Sequence, residues 1–438
     1  MTRDENEVLT RVGPGTPLGV LLREYWYPVL LSSELPAPDC AQLRVRVLGE
    51  DMIAFRDTSG RVGILGERCA HRRASLFFGR NEEGGIRCPY HGWKFDADGH
   101  CMEVPNDPEP AKVRKKVRQK SYLVREAGGA VWVYMGSRKS APPLPDLEWI
   151  SLADNQRFMA KRVQRCSWLQ ALEGDIDQSH VGFTHRRLDT QGRLTSQEKV
   201  DRIRGKDLHP KMAAADTPNG VLIGAGRQAD DNMEYWRVTQ VLFPSWVTTG
   251  PYGENPTRHM RCWIPIDDES VVLFTVTFHP LQPLPQASID QMRIGTGAGY
   301  VGENNFLPAT SAPFGAWLPK ASLENDFFMD RQLQKTSYFS GIQQFWAQDA
   351  ALQESMGRIT DRSAEHLLQS DIGIARLRRR LLQATRQFAN DGKSAPGADT
   401  PQAYCVRGAA MLIPAGAPWV EATEEHRKVL PGVNQPGL

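Results

Sequence analysis

The stretch from Glu173 to His185, EGDIDQSHVGFTH, holds two histidines behind a carboxylate. His180, His185 and Asp177 are the residue types of a non-heme iron(II) site, in which imidazoles and a carboxylate bind the metal and leave positions open. On a regular α-helix His180 and His185 would lie about 140° apart, so we expect a widened π-type turn, loosened by Gly182, to bring them together. Asp177, three residues before His180, is either a ligand or a hydrogen-bond partner of one. The alternative is a helix with two ordinary, hydrogen-bonded histidines.

Two pairs of cysteine and histidine precede this stretch. Cys69 and His71 stand in RCAHRRASL, and Cys88 and His91 stand in CPYHGWKF. A Rieske [2Fe-2S] cluster takes two thiolates on one iron and two imidazoles on the other. Two facing loops that each supply one thiolate and one imidazole would meet this need. Zinc is the alternative, but zinc ribbons usually open with Cys-x-x-Cys, and a Cys-x-His pair is cramped for a tetrahedral ion. The repeated pairing therefore favours the iron–sulfur cluster.

Composition and net charge exclude some classes of function. The chain has 438 residues, of which 40% are hydrophobic and 24% charged, as in a soluble globular protein of about two domains. A net charge of +2 gives no basic footprint for nucleic acid or for an anionic membrane. We expect the one basic run to form the solvated face of a helix: Arg376, Arg378, Arg379 and Arg380.

The amino terminus and the cysteine usage indicate a cytoplasmic protein. The first residues, MTRDENEVL, are charged where a signal peptide needs an apolar region. The longest strongly apolar run, residues 271–278, has the length of a strand and not of a membrane span. Seven cysteines, an odd number spread over the whole chain, do not resemble a secreted disulfide framework.

The Cys–His pairs lie in a stretch whose period of two predicts short antiparallel strands. Alternation begins at Leu43, and further strands are expected at 101–104 and 131–134, so each pair falls on a loop between strands. Ahead of this stretch, apolar residues at helical spacing predict a helix that Pro28 ends: Leu18, Leu21, Leu22 and Trp26.

The histidine motif belongs to a second predicted domain. A proline-rich linker over 141–157 precedes a helix expected at 168–182. Later strands predict an antiparallel sheet that packs helices on one face: 221–226, 233–243, 259–266 and 270–278. Ile374, Leu377 and Leu381 predict a helix that docks near the carboxyl end. We divide this α+β chain into an N-terminal segment (1–40), an iron–sulfur domain (41–140), a catalytic domain (141–388) and an irregular tail (389–438).

Residues 297–302 read GAGYVG, which formally matches the dinucleotide-binding pattern G-x-G-x-x-G. The preceding IDQMRI predicts a helix, and no βαβ unit surrounds the pattern, so we reject a Rossmann loop. The chain is then without an NAD or flavin site of its own. Its electrons must come from another protein.

Taken together, CAHRRASL, CPYHGWKF and DIDQSHVGFTH resemble the oxygenase component of Rieske non-heme iron aromatic-ring-hydroxylating oxygenases. The phthalate dioxygenase group is the most similar, and WRVTQ at 236–240 and QDAALQESMGRITDR at 348–362 extend the resemblance over most of the chain. It implies a Rieske [2Fe-2S] antiparallel β domain and a helix-grip-like catalytic domain, in which a sheet curves around a helix. Asp349 matches the family's third iron ligand, which completes a two-histidine, one-carboxylate triad. On chemistry alone, other carboxylates nearby are rivals: Asp326, Asp330 and Asp361.

The resemblance also implies the reaction. Electrons pass from NADH through a separate reductase, carrying flavin and [2Fe-2S], to the cluster and then to iron(II). Both atoms of dioxygen enter the ring as a cis-dihydrodiol. The cluster of one subunit serves the iron of the next in a head-to-tail homotrimer, or in a hexamer of two stacked trimers. Asp177 then bridges a cluster histidine, His71 or His91, to His180 and is not a ligand.

Phthalate-type enzymes act on aromatic carboxylates, and a buried carboxylate needs a cation or several donors. Residues expected to wall the pocket are Ser179, Lys211, Arg227 and Arg237. The family pattern has arginine after proline where this chain has Pro210-Lys211, so the fit to ortho-phthalate is in doubt. Isophthalate, 3-chlorobenzoate or a phenoxybenzoate stay open as substrates, as does O-demethylation by a monooxygenase. The non-enzyme alternative is an electron carrier, which needs only the first 140 or so residues.

Overall fold

The computed structural model describes residues 1–189, 200, 203, 207, 209–229, 232–297, 299–393 and 395–438. The α-helices whose bounds are described include α1 (Arg3–Thr10), α2 (Pro17–Leu22), α3 (Pro110–Lys116), α4 (Trp168–Ile176), α5 (Gln286–Arg293), α6 (Arg331–Thr336), α7 (Phe345–Ser355), α8 (Ile372–Asp391), α9 (Trp419–Ala422) and α10 (Glu424–Arg427). Within the described ranges, no helix is long and apolar enough to cross a bilayer.

The first ten strands form two antiparallel sheets, as the alternating pattern predicts. They are β1 (Trp26–Leu31), β2 (Leu43–Val47), β3 (Glu50–Arg56), β4 (Val62–Gly66), β5 (Arg80–Glu82), β6 (Gly85–Arg87), β7 (Lys94–Phe95), β8 (Cys101–Glu103), β9 (Ser121–Ala127) and β10 (Ala130–Tyr134). The six-stranded sheet has the order β1-β10-β9-β4-β3-β2, and the four-stranded sheet runs β5-β6-β7-β8. The loop with Cys69 and His71 joins β4 of the six-stranded sheet to β5, and the loop with Cys88 and His91 joins β6 to β7 of the small sheet.

The expected N-terminal helix is shorter than its apolar spacing indicates. Helix α2 ends at Leu22, and Trp26 begins β1, which pairs with β10. The prediction that Trp26 is helical was therefore wrong. The segment WYPVLL is aromatic and aliphatic throughout and is buried on both faces, which suits a strand better than an amphipathic helix. Pro28 lies at an irregularity in the pairing, where a missing N–H is tolerated.

Eight later strands form the large antiparallel sheet: β11 (Arg157–Gln164), β12 (Lys211–Thr217), β13 (Gly220–Gln228), β14 (Met233–Leu242), β15 (Trp246–Thr248), β16 (Arg258–Pro265), β17 (Val271–Phe278) and β18 (Ala409–Pro414). The order is β11-β17-β16-β15-β14-β13-β12, and β18 also pairs with β14. The four predicted strands are confirmed as β13, β14, β16 and β17. The strands β11, which begins where the expected linker ends, β12 and the short β15 were not predicted.

Helices α4 and α8 cover one face of this sheet, which we call the inner face. Asp175 of α4 contacts Arg261 and Trp263 of β16. Where α8 crosses β13, a Cβ on Gly373 would lie 2.9 Å from the Ile223 side chain, so this position needs glycine. The register places Ile223, Thr239 and Arg261 on the same face. The predicted α8 is confirmed, and Leu377 and Leu381 are buried.

The carboxyl-terminal residues contain regular structure where we expected an irregular tail. Residues Ala409–Pro414 form β18, whose partners in β14 run from Met233 to Val238. Ala409, Ala410 and Ile413 are buried, so this segment completes the large sheet. The pairing partner lies more than 170 residues away in sequence, and no local pattern indicates it.

The basic run on α8 is also not simply solvated. Arg378 is 4% exposed, and its guanidinium pairs with Glu173 of α4 at 2.6 Å. Arg376 forms a surface pair with Asp216. The expectation of a solvated face was wrong for Arg378 because a distant carboxylate compensates its buried charge.

Candidate active site

His180, His185 and Asp349 converge on one point beside the inner face. His180 Nε2 lies 3.2 Å from His185 Nε2 and 3.3 Å from Asp349 Oδ1, and His185 Nε2 lies 3.1 Å from the same oxygen. Their relative exposures are 22%, 9% and 18%, so the cluster is enclosed without being sealed. Two imidazole nitrogens and a carboxylate oxygen this close together are a donor set suited to iron(II).

The backbone reaches this arrangement by leaving the helix and not by a π-type turn. Helix α4 ends at Ile176, and Asp177 is extended at its C-cap. A 3₁₀ turn follows at His180–Gly182, and the carbonyl of His180 accepts hydrogen bonds from Phe183 N and Thr184 N. The expected helix over 168–182 with a π-type turn was therefore wrong. The tight turn reverses the chain, so that His185 returns to the side of His180.

The electrostatics of the three side chains favour a cation between them. Burial lowers the pKa of His180, but the carboxylates of Asp177 and Asp349 more than offset this and raise it to about 10. Burial raises the pKa of Asp349, yet the two imidazoles hold it well below its ordinary value. A carboxylate that stays ionised at a buried site attracts positive charge, and a divalent metal bound by the two Nε2 atoms would supply it. The residues fit the ion.

The rival carboxylates have other partners. Asp330 caps α6 by accepting from Gln332 N and Leu333 N. Asp361 accepts from the backbone and side chain of Ser363. Asp326 is exposed at a kink in the 3₁₀ segment Leu323–Phe328. The structure brings none of the three to the histidines.

Asp177 lies beside His180 and outside the three-residue cluster. Its Oδ1 accepts from Ser179 N and Ser179 Oγ, both at 2.7 Å. Its Oδ2 is 3.5 Å from His180 Nδ1, on the opposite edge of the ring from Nε2. Ser179 is thus engaged with Asp177, which is 21% exposed. This placement suits a partner of a metal ligand.

The iron–sulfur residues stand on two hairpin loops of similar construction. Cys69 N donates to Ala74 O, and Cys88 N donates to Trp93 O, so each loop is closed by a backbone bond next to its cysteine. The residues Arg73 and Gly92, four positions after each cysteine, have left-handed φ angles of 64° and 76°. A Cβ on Gly92 would lie 2.6 Å from the Pro105 ring.

The loops bring together the two thiols and the two imidazoles. Cys69 and Cys88 are buried, and burial raises the pKa of Cys69 to about 11. The rings of His71 and His91 are 4.6 Å apart, and the indole of Trp93 stacks on His71 at 4.4 Å. Thiols on the inside and imidazoles nearer the surface match the unequal ligation of a Rieske cluster, so these residues fit it as well.

The inner face carries basic side chains beside the 3₁₀ turn at His180–Gly182, which we call the histidine turn. We call these side chains the basic wall. Arg227 Nη2 donates to Gln178 O, and Gln178 Nε2 donates to Thr239 Oγ1, so this face contacts the chain just before His180. Arg237 lies on the same face as Thr239, two residues away on β14. Its Nε is buried without a hydrogen-bond acceptor among the described residues.

Sequence reasoning missed two members of this basic wall, His259 and Arg261 of β16. Burial and the charges of Arg261 and Arg237 together lower the pKa of His259 to about 4, so the three groups are neighbours. His259 Nδ1 is hydrogen-bonded to Thr277 Oγ1 at 2.7 Å, and Arg261 Nη2 forms a salt bridge with Asp175 Oδ1 at 2.6 Å. The alternation of β16 could have indicated these two residues, because His259 and Arg261 occupy the positions of the strand that share a face with Arg237.

Lys211 lies on the other face of the sheet. Its neighbour Met212 pairs with Ala225, and Ala225 pairs with Arg237, so Met212 lies on the inner face with Arg237. Lys211 pairs with Gly226 and lies on the opposite face. The Lys211 side chain is 63% exposed and approaches Glu234 at 3.7 Å. Because successive side chains of a strand alternate, one position decides the face, and the structure does not bring Lys211 to the site.

Two family models match the chain: a Rieske [2Fe-2S] domain over residues 25–122 and a LigXa C-terminal domain-like region over residues 133–435. The oxygenase subunit of 3-chlorobenzoate-3,4-dioxygenase from Comamonas testosteroni is 38% identical, over 97% of this chain and 98% of its own. The chain belongs to the Rieske non-heme iron oxygenases. The phthalate 4,5-dioxygenase oxygenase subunit of Pseudomonas putida is 34% identical, over 91% and 89% of the two chains.

The fold of this Rieske oxygenase is that of solved members. Dicamba monooxygenase bound to dicamba superposes with a TM-score of 0.57 at 18% identity, over 84% of this chain and 99% of the other. The predicted α+β architecture is confirmed. As a Rieske oxygenase the chain is the terminal oxygenase of its system, carries a [2Fe-2S] cluster and a mononuclear iron, and uses NADH only through a reductase. The zinc and electron-carrier alternatives do not hold.

Proposed function

We propose that this Rieske oxygenase cis-dihydroxylates an aromatic carboxylate, with His180, His185 and Asp349 binding the mononuclear iron. The cluster ligands are two thiolates and two imidazoles from the hairpin loops: Cys69, His71, Cys88 and His91. When bound, the cluster supplies single electrons, and the iron binds and reduces the dioxygen whose two atoms enter the ring. The division near residue 140 is part of the proposal, supported by family matches that end at 122 and begin at 133.

The single observation that carries the substrate class is the basic wall of the inner face. A carboxylate leaving water for a buried site must meet a cation or several donors. Arg261 is already neutralised by Asp175, and His259 is uncharged near neutral pH. Arg237, whose buried Nε–H has no acceptor among the described residues, therefore binds the substrate carboxylate. Chlorobenzoate and phthalate, in the names of the two relatives, share this group.

The protein also orients the substrate and restricts water. Phe345 stacks on His185 at 3.9 Å and closes one side of the iron site with an apolar surface. Arg237 stands over the ring of Tyr252, at 5.1 Å, which limits the directions its guanidinium can take. A carboxylate held at one end places the ring at a set distance from the histidine turn, so attack is confined to particular carbons.

Electrons reach the site through Asp177 from a second subunit in this proposal. The Oδ1 atom is occupied by Ser179, and the remaining surface of a 21% exposed carboxylate can accept an N–H from His71 or His91 of a second copy. This requires a homotrimer or a hexamer of two stacked trimers. Co-expression of Cys88→Ser chains with His185→Ala chains tests it, because mixed oligomers regain turnover only if cluster and iron act between subunits.

Turnover of a benzoate panel with a compatible reductase and NADH tests the substrate class. The panel contains benzoate, 3-chlorobenzoate, phthalate, isophthalate and phenoxybenzoate, each beside its uncharged amide. We expect carboxylates to gain two oxygen atoms and the amides to react poorly. Products that gain one oxygen atom or lose a methyl group would place the chain among the monooxygenases, and equal turnover of the amides would contradict the role of the basic wall.

The same assay separates Arg237 from Lys211. Arg237→Met leaves a buried carboxylate without its cation, which costs about 2–5 kcal/mol and raises KM by roughly 30-fold or more. Lys211→Met removes a charge from the outer face and is expected to change KM less than about twofold. A larger effect at Lys211 than at Arg237 would contradict the assignment of the faces.

A further inference from the structure

The helix that supplies Asp349 also presents two other side chains to His185. Phe345, Gln348 and Asp349 are spaced i, i+3 and i+4 on α7, so they share one face. Gln348 Oε1 lies 2.7 Å from His185 Nδ1, and the Phe345 ring stacks on the imidazole with 13° between the planes. Gln348 is 3% exposed and has no part in the function proposed above.

The orientation of the Gln348 amide follows from its second contact. Its Nε2 lies 2.7 Å from the carbonyl oxygen of Ile342, which can only accept a hydrogen bond. The atom facing Ile342 is therefore the amide nitrogen, and the atom facing His185 is the amide oxygen.

The amide in turn decides which ring nitrogen of His185 carries the hydrogen. An amide oxygen accepts only, so His185 Nδ1 carries the hydrogen and donates it to Gln348. In a neutral imidazole the other nitrogen then presents a lone pair. That nitrogen, Nε2, is the atom 3.1 Å from Asp349 Oδ1 and 3.2 Å from His180 Nε2.

We propose that Gln348 is a positioning residue that holds His185 in the Nδ1–H form, so that its Nε2 lone pair faces the mononuclear iron. The inference rests on the ligand set proposed above. It also makes the two histidines unequal: Nδ1 of His180 faces the carboxylate of Asp177, whereas Nδ1 of His185 faces a neutral amide. Such partners fix the tautomer and the ring orientation, and their loss weakens metal binding about 10–100-fold.

The dissociation constant of ferrous iron, measured by competition with a chelator, tests this role without turnover. Gln348→Leu removes the acceptor, and we expect iron to bind about 10–100-fold more weakly. Gln348→Glu keeps an acceptor oxygen for Nδ1–H but loses the hydrogen bond to the Ile342 carbonyl, so we expect its iron affinity to lie between those of the leucine variant and the unmodified chain. The EPR spectrum of the ferrous–nitric oxide adduct should change in the leucine variant, because His185 can then rotate.

Gln353→Leu is the matched control. Gln353 is also a buried glutamine of α7, but its Oε1 accepts from Gln164 Nε2 and touches no proposed ligand. We expect this variant to lower the melting temperature while iron affinity stays within about threefold, and the cluster absorption reports the folded fraction of each protein. Unchanged iron affinity in Gln348→Leu, or an equal loss in Gln353→Leu, would overturn the inference. If His185→Ala binds iron as the unmodified chain does, the proposed ligand set itself fails.

Discussion

Glu173 lies in α4, the helix that precedes the histidine turn, and its replacement by glutamine should destabilise the protein strongly. Its Oε1 is 2.6 Å from Arg378 Nε, and its Oε2 is 3.0 Å from Arg362 Nη2. The three side chains are at most 9% exposed, and Arg362 also donates to Asn6 Oδ1. One carboxylate on α4 thus joins α8 to the turn that holds Arg362, and Arg362 in turn contacts α1.

The magnitude follows from what Glu173→Gln leaves behind. The variant keeps the volume but removes the only carboxylate that contacts Arg362 among the described residues, while Arg378 keeps Glu365. Removing one partner of a buried ion pair costs about 3–5 kcal/mol, because a charge is left uncompensated. We expect a value near the lower end, about 3 kcal/mol, since the glutamine oxygen still accepts one hydrogen bond.

Unfolding followed by circular dichroism in denaturant measures this loss, and Asp216→Asn is the control. Asp216 forms a bidentate pair with Arg376 on the same α8, but both side chains are about one-third exposed. Surface pairs contribute about 0–1 kcal/mol, so the control should lose no more than that. If Glu173→Gln is no less stable than Asp216→Asn, then Glu173 does not compensate the buried arginines and the reasoning is refuted.

Three further changes test the sites and the acid response. Asp177→Asn should keep iron content and cluster absorption but lose nearly all turnover, if the carboxylate links a cluster histidine to His180 as we propose; loss of the iron would make Asp177 a ligand. Cys69→Ser should abolish the cluster absorption and leave ferrous iron bound, as separate metal analyses will show. Burial raises the pKa of Glu173, but Arg362 and Arg378 lower it on balance below its ordinary value of 4.5. The carboxylate therefore stabilises the fold fully above pH 4.5, and the stability difference between the unmodified chain and Glu173→Gln should shrink as pH falls; a difference that does not depend on pH would contradict this.

The iron–sulfur loops could be predicted from sequence because everything they need is local. Each loop supplies a cysteine and a histidine within a few residues, between short strands whose alternation is plain. The first loop joins β4 of the six-stranded sheet to β5, and the second joins β6 to β7, so the two halves meet where the small sheet adjoins the larger one. Trp93 follows His91 in the chain, and its stacking on His71, like the contact between the His71 and His91 rings, links the two loops.

The mononuclear site was only partly accessible to sequence reasoning. The histidines belong to one motif, but the turn that joins them was misjudged, because helix propensity says nothing about where tertiary contacts stop a helix. Asp349 follows His185 by more than 160 residues, and only its resemblance to a family position distinguished it from Asp326, Asp330 and Asp361. Gln348, its neighbour in the sequence, gave no signal of contact with His185.

What the sequence determined by itself is the chemistry available: two cysteine–histidine pairs, a two-histidine motif, and strands enough for two antiparallel units. The tertiary structure decided which distant groups meet. Packing of α7 against the turn after α4 brought Asp349 and Gln348 to the histidines. The register of the large sheet turned Arg237 inward and Lys211 outward. Such choices depend on contacts between residues far apart in the chain, whose free energy no local pattern contains.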